Sequence, residues 1–75
     1  MDIRLIDEKN RRVVNVSRLS LEVRGNTVVG LTDEGKLVSV KGCYDEQEAG
    51  RLMERIMESI EDAYQREMRD LIIKL

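Results

Sequence analysis

Histidine is absent from this chain. General acid or base work near neutral pH would therefore fall to a carboxylate, Cys, Lys or Tyr with a strongly shifted pKa, and such shifts need a depth of burial that 75 residues hardly supply. The single cysteine, Cys43, lies between Gly42 and Tyr44, just before a helical segment, where a thiolate can be stabilised. No His or second Cys stands ready to activate or resolve it, so it reads as a small, partly buried apolar residue. One cysteine also makes no intramolecular disulfide, in keeping with a reducing compartment.

Metal chemistry is equally poorly supplied. None of the Cys, His and carboxylate spacings of a zinc site occurs, and Asp33 and Glu34 beside Gly35 lack the acidic ladder of a calcium loop. They read as turn residues. The sequence thus points to no catalytic residue, no cofactor and no metal, and the expected function is non-enzymatic.

Charge is the next possible source of function. Thirteen basic against fifteen acidic residues give a net charge of −2, which offers no general attraction to phosphate backbones or anionic lipid. Nine of the thirteen basic residues are Arg, and Arg4, Arg11, Arg12, Arg18 and Arg24 all precede the acid-rich helical segment. Weak nucleic-acid binding through these five is the alternative function. No aromatic stacking platform or helix-turn-helix pattern accompanies them.

The elements that carry these residues follow from periodicity. From Asp45 to about Gln65, the apolar residues Ala49, Leu52, Met53, Ile56, Ile60, Ala63 and Tyr64 recur at steps of three and four, which predicts an amphipathic helix over 45–65. Asp45 is its N-cap, Glu48 the third residue of a capping box, and Tyr44 with Ala49 a hydrophobic staple. Gly50 suggests close packing against the sheet, while Met53, Met57 and Met68 are expected to fill core. Arg51–Glu54, Arg55–Glu58 and Asp62–Arg66 stand at ion-pair spacings.

Before the helix, residues 1–42 read as an antiparallel β-meander. Met1–Ile6 is a short strand placed at an edge, and Arg11–Ser17 sets Val14 and Val16 on one face and Val13 and Asn15 on the other. Leu19, Leu21 and Val23 alternate with polar residues up to Gly25-Asn26, a two-residue type II′ turn that sets Val23 opposite Val28 and Leu21 opposite Gly30. A three-residue loop, Asp33-Glu34-Gly35, then places Leu31 opposite Leu37, Gly30 opposite Val38 and Val28 opposite Val40. One face (Leu19, Leu21, Val23, Val28, Gly30, Val38 and Val40) forms the floor for the helix, and Gly30 leaves room for the helix backbone. Val29, Leu31 and Leu37 cluster on the opposite face as a patch for an unidentified protein partner.

The fold class is therefore α+β, four to five short antiparallel strands packed against one long C-terminal helix, in a single domain spanning 1–75. After Gln65 the apolar stripe rotates by roughly 60° to Met68, Leu71, Ile72 and Leu75. The tail 66–75 must kink back, pair as a strand through 71–73, or project onto another molecule. The core lacks Phe and Trp, and so small a domain buries only roughly 60% of its unfolded surface, which favours the last choice. The expectation is self-association, as a homodimer, through these four residues. No stretch approaches the ~20 apolar residues of a membrane span, and the start of the chain has no apolar core of a signal peptide. A cytoplasmic protein with no membrane partner is expected.

From Asn26 to Ile60, the hairpin, the second glycine turn, then Gly42-Cys43-Tyr44-Asp45, Ala49 and Leu52–Ile56 resemble a loose group of small phage and prophage proteins of Gram-positive bacteria. In that group a β-meander ends in a Gly-x-Tyr segment capping an acidic helix. The resemblance implies an accessory protein and transfers no catalytic residue.

Overall fold

The computed structural model describes residues 1–75 and shows an α+β fold with six strands and one helix. In chain order these are β1 (Asp2–Asp7), β2 (Arg12–Asn15), β3 (Ser20–Arg24), β4 (Thr27–Leu31), β5 (Leu37–Gly42), α1 (Glu46–Gln65) and β6 (Asp70–Lys74). The five expected strands before the helix all form, but they do not make one meander. They divide into two three-stranded sheets, β2-β1-β6 and β3-β4-β5. The break falls at Val16–Leu19. Val16 N–H still donates to the Ile3 carbonyl at 2.9 Å, after which Leu19 N–H turns back to the Val16 carbonyl.

The β3–β4 hairpin has the expected register, with Val23 opposite Val28 and Leu21 opposite Gly30. Gly25 alone of the two loop residues has positive φ, as a type II′ turn demands. In the next hairpin Gly35 takes φ 82, and Leu31 and Gly30 face Leu37 and Val38. A register shift between Val28 and Val29 then sets Val28 opposite Lys41 rather than Val40. Val40 becomes the extra residue of a bulge, and both it and Val28 are fully buried.

Leu5, Val28, Val40, Ala49 and Ile56 are fully buried, and Ile3, Val16 and Ile73 complete the core. Two expected approaches differ. The space over Gly30 is filled by Leu19, whose Cδ1 would lie 2.7 Å from an added Cβ, and not by helix backbone. An added Cβ on Gly50 would meet nothing within 4 Å, so no packing demand explains that glycine.

Asp45 caps α1 as expected, its Oδ1 accepting Glu48 N–H at 2.8 Å. The staple does not form, because Tyr44 is exposed. At the other end Glu67 N–H donates to the Tyr64 carbonyl and Met68 N–H to the Ala63 carbonyl. This is a Schellman stop, with Glu67 at φ 54 where glycine is usual.

That stop decides the tail. Residues 66–75 do not project from the subunit: β6 pairs in parallel with β1, Leu5 opposite Ile73, and Ile73 enters the core. Pairing gives the strand's backbone groups partners within the subunit. β1 is accordingly the centre of its sheet, not an edge.

Two polar contacts join the sheets. The buried carboxylate of Asp7 accepts Asn10 Nδ2 at 2.7 Å and Lys41 Nζ at 3.1 Å, and Arg12 donates to the Ser39 carbonyl at 2.8 Å. The Asn10 hydrogen bonds outweigh the opposing effect of burial and, with Lys41, hold Asp7 below its ordinary pKa of 3.8. A carboxylate whose pKa is depressed by folding adds stability above its unfolded value and loses it as pH falls through the folded one. Asp7→Asn is expected to lower the urea midpoint at pH 7, with the gap from the parent narrowing steadily below pH 3.8. A gap that stays constant down to pH 2 would contradict this reading. Glu67→Gly, which relieves a left-handed residue, is expected to raise stability by about 0.5–1 kcal/mol in the same assay. A loss of stability would argue against the Schellman stop.

Candidate interaction surface

The helix carries more apolar surface than the sheets cover. Ala49, Ile56 and Ala63 point into the protein, but Met53, Met57, Ile60 and Tyr64 form a second row turned by roughly 70° from them. Met57 is 49% and Tyr64 61% exposed, so the expectation that Met57 fills core and Tyr64 belongs to the buried stripe is corrected. Spacing placed Tyr64 in the stripe and residue type placed Met57 in the core, yet the sheets leave both uncovered. Met57, Ile60 and Tyr64 line a shallow open groove with Glu54, Glu58, Glu61 and Gln65.

The border of that groove is acidic and unneutralised. Of the three helix ion pairs expected from spacing, only Asp62–Arg66 forms, at 3.2 Å. Arg55 instead donates to the Lys74 carbonyl at 3.2 Å, and Glu54, Glu58 and Glu61 enter no ion pair. An apolar row beside three unpaired carboxylates is complementary to a segment that is apolar on one side and cationic on the other.

The sites expected from sequence are placed differently. In the patch of Val29, Leu31 and Leu37, Val29 is only 8% exposed, Leu31 is half-buried and Leu37 alone is mainly open. Beside that patch, Arg12 of the first sheet bonds the carbonyl of Ser39, the register neighbour of Val29. Among the tail residues Leu71 and Leu75 pack against the subunit's own core, while Met68 and Ile72 stay exposed. Met68 sits in the Schellman stop and fills no core.

The five arginines do not converge. Arg4 pairs with Asp2 at 3.0 Å on the first sheet and Arg24 with Glu22 at 3.0 Å on the second, while Arg12 is held by Ser39. Arg11, at φ 54, lies in the β1–β2 turn, and Arg18 lies between β2 and β3. Asp2 is itself lowered in pKa, first by its hydrogen bond from Asn15, then by Arg4 and Ser17.

Cys43 is partly buried near Glu48 and Asp45. Burial pushes its thiol upward, Glu48 and Asp45 add to that, and Lys41 opposes it. The helix N-terminus therefore does not yield an activated thiolate. Nowhere are three or more metal-ligating side chains gathered, and no helix is long and apolar enough to cross a membrane.

No family model, curated protein or solved structure matches the chain.

Proposed function

We propose that this chain is a non-enzymatic protein-interaction module whose helix receives a cationic amphipathic segment of a partner protein. The observation that carries the reading is the exposed Met57–Ile60–Tyr64 row bordered by unpaired Glu54, Glu58 and Glu61. Methionine and tyrosine suit such a surface, since a flexible thioether and a large ring both bury much area against varied shapes. The three glutamates would then select the partner's charge and speed encounter. The groove is lined by neither histidine nor cysteine, which leaves little for a catalytic reading of it.

The test is titration with a fluorescent synthetic helix of leucine and lysine, beside a leucine–glutamate control of the same length. Saturable binding of the cationic peptide is expected, weakened about tenfold or more by Glu58→Lys with Glu61→Lys, and weakened by added salt. Equal binding of both peptides, or indifference to the double charge reversal, would exclude the proposed surface.

A further inference from the structure

The two sheets present four edges: β2, β6, β3 and β5. Proteins guard such edges against pairing with short strands, charges and bulges. Three of the four carry a guard against pairing with their own copy, whereas the charges of β6, Asp70 and Lys74, are of opposite sign. β2 has only four residues, β5 contains the Val40 bulge, and β3 has Glu22 at its centre, where pairing with itself would set like charges together. β6 is regular, five residues long, and has Ile72 at its centre, 59% exposed.

Its free backbone groups can be assigned. Asp2 N–H donates to the Arg69 carbonyl and Leu75 N–H to the Ile6 carbonyl. In a parallel ladder the bonded residues alternate along each strand. Leu71, Ile73 and Leu75 thus face β1, and the N–H and C=O groups of Asp70, Ile72 and Lys74 point away from the sheet. The Arg55 bond to the Lys74 carbonyl agrees, and it leaves that oxygen a second lone pair.

The geometry points to a second copy of this chain as the occupant of that edge, with β6 pairing antiparallel to β6 about a two-fold axis at Ile72. The sequence Asp70-Leu71-Ile72-Ile73-Lys74 is complementary to its own reverse. About that axis Ile72 meets Ile72 of the second copy, and Asp70 stands opposite Lys74 of the second copy, twice by symmetry. Each outward N–H finds an outward carbonyl, giving six backbone hydrogen bonds by pairing Asp70, Ile72 and Lys74 with their opposites.

The outer face of the first sheet continues the match. Val13, 64% exposed, lies opposite Ile6, and Ile72 lies opposite Arg4 on that same face. Pairing at β6 joins the two copies into a six-stranded sheet whose central apolar contact is Ile72 against itself. Lys74 now pairs with Glu8 at 3.3 Å, an exposed contact that is readily exchanged for Asp70 of the second copy. This association is independent of the helix groove and stands or falls apart from it.

A charge-reversal cycle tests it, read by sedimentation equilibrium with circular dichroism as the folding control. The parent is expected to dimerise reversibly with a Kd on the order of 100 μM, as suits a small interface. Asp70→Lys sets lysines opposite each other and Lys74→Asp sets aspartates opposite each other, so each alone is expected to weaken dimerisation about tenfold. The double variant is expected to restore it, and Ile72→Lys to abolish it, all with parental circular dichroism. A parent that remains monomeric to about 1 mM, or a double variant no better than the singles, would overturn the register. Because these positions are exposed, an altered circular dichroism spectrum in the single reversals would also count against it, by giving Asp70 and Lys74 a role within the subunit.

Discussion

The parallel pairing of β1 with β6 is the constraint on which the rest of this structure depends. It brings the two ends of the chain into one sheet, sets Leu5 beside Ile73, and leaves both buried. A parallel pair cannot be made by a tight turn, so everything between the two strands must be arranged as their connection. Closing so long a connection costs entropy that local contacts do not return, and the cost is met only once α1 lies over its floor and the Schellman stop redirects the chain. Without β6, β1 and β2 would be a two-stranded ribbon, which is marginal in water by itself.

The same economy of size shapes the surface. A core of Val, Leu, Ile and Ala, with no Phe or Trp, fills a narrow space, and two three-stranded sheets cannot cover an apolar arc that also includes Met57 and Tyr64. The remainder is placed at two separate locations. One is the groove on the helix, bordered by unpaired carboxylates; the other is the β6 edge, with Ile72 between opposite charges. Both combine exposed apolar groups with a charge pattern, which separates them from ordinary scattered surface hydrophobes.

Much of the fold was legible where the signal is local. Gly25 and Gly35 each mark a turn that only a positive φ allows, and these two turns fixed the register of β3, β4 and most of β5. Asp45 marked the start of the helix because its side chain can satisfy an otherwise free N–H. The end of the helix at Gln65 was legible where its apolar stripe stops, but the turn that redirects the chain there, with Glu67 in a left-handed position that glycine ordinarily marks, was not. The partner of β1 was not legible either. Parallel pairing between distant segments leaves no spacing to read, and the short apolar run Leu71-Ile72-Ile73 suits a strand, a helix turn or an interface alike. The helix groove was not legible: Met53, Ile60 and Tyr64 read as part of the buried stripe and Met57 as core, and only the packed sheets show that Met57 and Tyr64 are left uncovered.

The dependence on β6 is measured most directly by thermal unfolding of the full chain beside one ending at Gln65, followed by circular dichroism at low concentration. If the β1–β6 pairing organises the subunit, the shortened chain loses its cooperative transition or melts far lower, since Leu5 and Ile3 lose the strand that covers them. A shortened chain that unfolds cooperatively at the temperature of the full one would contradict the account.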